Sequence, residues 1–184
     1  MAMESSQEAK LFEKEAEEEE KHEEEIERTE VKVLIALDES EGSLHALNWA
    51  LDHLFGNAGS RDLRSLTILH VIQPFPQYFC PGGPGVYVTP MVVDSVIKSQ
   101  EQHSAALLRR TSTMCSEKHV RAETLKKEGE PKEAICQVVE QIHADLVVIG
   151  SRGLGTIKRA VLGSVSDYVA HHAKCPVLIV KPPK

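Results

Sequence analysis

From Val31 onward the chain alternates between short, almost continuous apolar runs and longer stretches with helical spacing. VKVLIALD (31–38) is apolar at nearly every position and rich in β-branched residues, as a strand covered on both faces requires. Between Ser40 and Phe55, Leu44, Leu47, Leu51 and Leu54 recur at spacings of 3, 4 and 3, which places them on one face of a helix. SLTILHVI (65–72) predicts a second buried strand. The stretch 91–118 predicts a long helix whose apolar positions are Val92, Val96, Ala105, Leu107 and Leu108. AETLKKEG (122–129) alternates weakly and predicts a more exposed strand nearer a sheet edge. Pro131 stands where helices favour their first residue, and Ala134, Ile135, Val138, Val139 and Ile142 then form the inner face. DLVVIG (145–150) predicts the fourth strand, 164–173 a helix, and PVLIVK (176–181) a closing strand entered through Pro176.

Buried strands separated by helices predict an α/β fold, an open, doubly wound parallel sheet with helices on both faces. Right-handed crossovers leave few ways to connect it. Residues 31–184 are expected to form one such domain, and no internal repeat interrupts them. One interval departs from the rhythm. QPFPQYFCPGGPGVYVTP (73–90) holds five prolines, three glycines and Phe75, Tyr78, Phe79 and Tyr87, half of the eight aromatics in the chain. A connection of that length serves either as a Pro-rich surface loop packed down by its own aromatics or as a lid or partner-binding element.

Charge changes the picture only at the front. Residues 1–30 contain thirteen Glu against four Lys or Arg, leaving 17 basic and 15 acidic residues for the remainder. The acidic segment has like charges at i,i+4 and no apolar stripe, so it is expected to be a disordered, solvated tail or an acidic arm for a protein partner. The near-neutral remainder lacks the basic face that duplex nucleic acid demands. No apolar stretch approaches the roughly 20 residues of a membrane span, and residues 1–30 lack the apolar core of a cleavable leader. Four scattered cysteines without a CxxC pair imply free thiols and a cytoplasmic setting.

The candidate chemistry gathers in GSRGLGTIKRAVLGSVSD (150–167), between the fourth strand and the following helix. Glycine lets a phosphate approach main-chain N–H groups without a Cβ in the way. Gly163-Ser164 opens a helix whose first N–H groups are unpaired and whose dipole favours an anion. Ser164 and Ser166 add hydroxyls, while Arg152, Lys158 and Arg159 offer positive charge. Asp38, ending the first strand, faces the same crevice if the first and fourth strands are neighbours; it either caps the next helix or touches the ligand. Neither a Walker A sequence nor a G-x-G-x-x-G fingerprint can be placed, and G-x-S-x-G is absent. His171-His172-x2-Cys175 supplies too few ligands for zinc, and His70 reads as a core histidine. No residue is assigned as catalytic, since Asp38 is the one carboxylate placed to hold a water for hydrolysis.

Gly150-x2-Gly153-x9-Gly163-Ser164 resembles the ATP-binding motif of the universal stress protein family. VLIALDESEGSLHALNWAL resembles that family's first strand and helix, and HAKCPVLIVKP its closing segment. The long Pro-rich loop and acidic tail look like those of plant members. The resemblance implies a Rossmann-like five-stranded sheet in the order 3-2-1-4-5 and a homodimer formed through the last strand, 176–181. It implies ATP or AMP, with or without Mg²⁺, in the crevice. Ala36 and Asp38 would then lie near the adenosine, and the backbone of Val71 would meet the adenine. Gly150, Gly153, Gly163, Ser164, Val165 and Ser166 would surround ribose and phosphates. The nucleotide would act as a switch ligand in a stress-response regulator. A chaperone or scaffold working through the tail and the 73–90 loop, and a slow ATPase, are the alternatives.

Overall fold

Alternation along β1 (Val31–Leu37) sends Val33, Ile35 and Leu37 to one face of the sheet and Leu34 and Ala36 to the other, and all five are buried. A computed structural model of the chain describes residues 30–56, 64–74, 90–153 and 162–183. After β1 come α1 (Glu41–His53), β2 (Arg64–Ile72), α2 (Pro90–Glu117), β3 (Ala122–Glu128) and α3 (Pro131–Ile142). β4 (Leu146–Gly150), α4 (Ser164–His172) and β5 (Val177–Val180) complete the order. Every expected strand and helix is present, with ends shifted by a residue or two.

The strands form one parallel sheet in the order β3-β2-β1-β4-β5. α1 and α2 cover one face, where Leu47, Leu51 and Phe55 pack on Val33, Ile35 and Ile68. α3 and α4 cover the other, where Ile135, Val138 and Val169 pack on Leu34, Leu69 and Val147. β3 is an edge strand, and its mixed exposure with Glu123, Lys126 and Lys127 matches the weak alternation of its sequence. Pro131 is the first helical residue of α3, where its missing N–H has no partner to lose.

α2 departs from its apolar pattern. Of the five positions read as apolar, Leu107 is buried, Val96 and Leu108 are half-buried, and Val92 and Ala105 are exposed. The buried stripe instead runs through Ser104, Leu107, Thr111 and Cys115. Ala105 points away from that stripe, and Val92 is exposed because of the helix's length. A helix of 28 residues is about 42 Å long, whereas strands of 7 to 9 residues span about 23–30 Å. The amino-terminal turns of α2 therefore run past the sheet, with Met91, Val92 and Ile97 in solvent.

Within the stripe, the Ser104 hydroxyl is buried without a hydrogen-bond partner among the described residues. Leaving a buried hydroxyl unsatisfied costs about 1–3 kcal/mol. Ser104→Ala is expected to raise the unfolding free energy by about 1 kcal/mol, read from urea denaturation. A loss of stability would mean that the hydroxyl has a partner.

Candidate functional site

The chain leaves β1 toward β2 and β3 on one side, then returns to place β4 and β5 on the other, so strand order reverses between β1 and β4. Open α/β sheets receive ligands beyond the carboxyl ends of the strands at such a reversal. Among the described residues, a cleft of about 600 Å³ lies there. Ala36 and Asp38 line it from the end of β1, and Val71 from β2. Gly150, Arg152 and Gly153 line it from the end of β4 onward. Gly163, Ser164, Val165 and Ser166 close it at the start of α4. All ten residues singled out from the sequence thus share one cavity. Lys158 and Arg159 lie outside the described residues, as do 1–29 and the aromatic interval 75–89.

One end of the cleft is formed by the amino terminus of α4. Gly163 is the N-cap of α4, in extended conformation, and as a glycine it offers no side chain to cap the helix. The Gly163 N–H donates to Ser151 O at 2.8 Å, and the first intrahelical bond runs from Asp167 N to Gly163 O at 2.9 Å. The N–H groups of Ser164, Val165 and Ser166 have no preceding turn to bond to, at the positive end of the helix dipole. Ser164 is exposed at this rim. Ser166 is buried, and its hydroxyl donates to Gly163 O (2.9 Å) and Ser151 O (3.2 Å). Of the two hydroxyls offered by the sequence, Ser166's is committed to holding the loop ends together.

The other wall is the β1–α1 corner. Ser40, not Asp38, is the N-cap of α1, its hydroxyl accepting from Ser43 N at 3.2 Å. Asp38 fastens that cap. Its Oδ1 accepts from Ser40 N at 3.0 Å and from the Ser40 hydroxyl, while the Ser43 hydroxyl donates to Asp38 O at 2.7 Å. The second carboxylate oxygen lies against Gly153, where an added Cβ would stand 2.3 Å from it. Asp38 therefore supports the cap and also reaches the cleft.

Two residues essential to this geometry escaped the sequence reading. A Cβ at Gly42 would come 2.8 Å from Arg152 O, and one at Gly150 2.9 Å from Gly42 O. The first turn of α1 and the end of β4 touch backbone to backbone, which glycine at both positions permits. Gly42 carried a signal, since glycine inside a helix costs about 1 kcal/mol and implies a local reason. Buried Ser151 is the second, its N–H donating to Val180 O at 2.8 Å and its carbonyl accepting from Gly163.

Away from the α4 end, the cleft runs over β2 and under α2. His70 is buried and donates its Nδ1 proton to Leu37 O at 3.0 Å, so it is a satisfied core histidine that also lines the cavity. Gly129 N–H donates to Ile72 O on the β3 side. Successive residues of a strand point their peptide groups to opposite edges, so the Val71 carbonyl faces the β1 side, past the last paired residue of β1. Gln100 and His103 of α2 form the far wall. Gln100 donates to Gln73 O at 3.3 Å, and His103 Nδ1 lies 3.8 Å from a Glu39 carboxylate oxygen.

Nucleophile and metal chemistry find little here. Cys115, Cys136 and Cys175 are free thiols. Burial pushes Cys115 up to about 11. Burial, with Glu140 beside Cys136 and Asp145 near Cys175, also raises the other two, which disfavours the reactive thiolate. Among the described residues no three His, Cys, Asp or Glu side chains converge on a metal position, and no helix is long and apolar enough to cross a membrane.

The fold and cleft define a doubly wound α/β domain with a crevice at its switch point, onto which the amino terminus of α4 opens. The chain belongs to the universal stress protein family, whose family model matches residues 30–181. A universal stress protein of Bacillus subtilis, YxiE, is 33% identical over 150 residues, covering 82% of this chain and 98% of its own. A universal stress protein family member from Arabidopsis thaliana, solved with AMP bound, is 26% identical with a TM-score of 0.60, covering 83% of this chain and 92% of its own. A universal stress protein solved in complex with cAMP is also 26% identical, with a TM-score of 0.57, covering 84% and 99%.

Proposed function

We propose that the cleft binds an adenine nucleotide, ATP or AMP, and that the nucleotide is a switch ligand in a stress-response regulator working as a cytoplasmic homodimer. The observation that carries the reading is the first turn of α4, begun by a glycine that has no capping side chain and opening onto the same cavity as Asp38 and Val71. The relatives solved with AMP and with cAMP support the choice of adenine.

The donor set fits the group. Three main-chain N–H groups and the Ser164 hydroxyl make four hydrogen bonds to phosphate oxygens, contributing about 6–12 kcal/mol before ordering costs. Micromolar affinity needs about 8 kcal/mol. Arg152 adds charge at the rim, Asp38 accepts from ribose hydroxyls, and the base packs between Ala36 and Val71. Any Mg²⁺ would ride on the phosphates of the nucleotide itself. The dimer reading is supported by the contrast between the sheet edges, charged along β3 and apolar along β5, where Val177, Leu178 and Ile179 are half-buried.

Freshly purified, undialysed protein is expected to release about one adenine nucleotide per chain on denaturation, measured by anion exchange, and to sediment at the mass of two chains. Released ADP would point to hydrolysis. Protein that carries no nucleotide and binds neither ATP nor AMP at millimolar concentration would overturn the ligand assignment, and a one-chain mass would overturn the dimer.

A further inference from the structure

We propose that Gln100 of α2 reads the 6-amino group of the base and thereby sets the preference of the cleft for adenine over 6-oxopurines. This rests on the nucleotide reading above. With phosphates on the first turn of α4, the base occupies the opposite end of the cavity, between the carboxyl end of β2 and α2. Gln100 and Gln73 both line that end.

The orientation of the Gln100 amide follows from its one hydrogen bond. A main-chain carbonyl only accepts, so the contact with Gln73 O at 3.3 Å requires the amide nitrogen on that side. The side-chain carbonyl Oε1 is then the acceptor that Gln100, as a lining residue, has left to offer to a ligand. An adenine amine has two protons. One suits the Val71 carbonyl, and the other suits Gln100 Oε1. A 6-oxopurine presents an oxygen there, and two acceptors face each other unpaired. Discrimination is strong when a polar group of the site is left without its partner. α2 holds this position because its amino-terminal half runs beyond the sheet and over the cleft. No alternation or glycine spacing in the sequence marks it.

Affinities of the full-length protein for ATP and for inosine triphosphate, measured by calorimetry, test the assignment. Wild type is expected to prefer ATP. Gln100→Met keeps the side-chain length and removes the acceptor, and is expected to lower the ATP-to-ITP affinity ratio roughly fivefold, chiefly through weaker ATP binding. Gln100→Glu keeps acceptor oxygens but loses the donor to Gln73 O that aims them, and is expected to retain part of the preference while its charge weakens both nucleotides together. A purely structural role would lower both affinities in Gln100→Met and leave the ratio unchanged. That result would overturn the inference while the nucleotide site stood. Wild type that binds neither nucleotide would overturn the inference and the site together.

Discussion

Gly163→Asp is expected to abolish nucleotide binding while leaving the protein as stable as before, or slightly more so. Gly163 sits at φ −75 and ψ 156, a conformation open to any residue. A Cβ there would lie 3.5 Å from its nearest neighbours, Arg152 Cα and Ser151 O, an ordinary contact. Aspartate is also a better N-cap than glycine by a few tenths of a kcal/mol. Its carboxylate would occupy the N–H groups of α4 that the phosphates need. Two charges about 4 Å apart at an effective dielectric near 20 repel by about 4 kcal/mol, so affinity should fall about 100- to 1000-fold. Gly163→Asn caps equally well without the charge and is expected to lose much less. Calorimetric titration with ATP, paired with thermal unfolding, separates the two effects. An Asp variant binding at wild-type affinity would remove α4 from the site.

The second large effect concerns the fold. Replacing a glycine within a strand by alanine ordinarily stabilises by about 0.5–1 kcal/mol. Gly150→Ala is expected to do the opposite and cost about 3 kcal/mol, because the added methyl would stand 2.9 Å from Gly42 O, 3.0 Å from Gly42 C and 3.1 Å from Ser43 N. These are backbone atoms of α1 and cannot swing aside. The first turn of α1 would be pushed off β4, carrying Ser40, Ser43 and the attached Asp38 with it. The unfolding midpoint in urea should fall, and nucleotide affinity with it. A variant as stable as the parent would mean that α1 and β4 do not meet this closely.

These two substitutions separate what the glycine spacing states from what it conceals. Gly150, Gly153 and Gly163 look equivalent in the sequence. In the structure Gly150 is demanded by backbone contact, Gly153 faces the movable end of the Asp38 side chain, and Gly163 has room for a side chain. Of the three, only Gly163 is not required by a close contact.

The sheet and its helices were legible because burial on both faces writes continuous apolar strands. The Asp38 carboxylate was legible as a crevice group, but its partnership with Ser40 was not, since a cap two residues away leaves the same residue types in view. Ala36 and Val71 came from resemblance alone. They act through position and main chain, which composition does not record. Gln100 and His103 come from a helix whose apolar spacing misled, because an overhanging helix need not bury its hydrophobic positions.

The Gly163 N–H donates to Ser151 O and the Ser166 hydroxyl bridges the carbonyls of both residues, so the connection of eleven residues between them starts and ends at points the framework fixes. Closing such a loop depends only logarithmically on its length, and doubling it costs about 0.6 kcal/mol. Lengthening or shortening the connection from β4 to α4 by a few residues is therefore expected to leave the unfolding free energy of the framework almost unchanged.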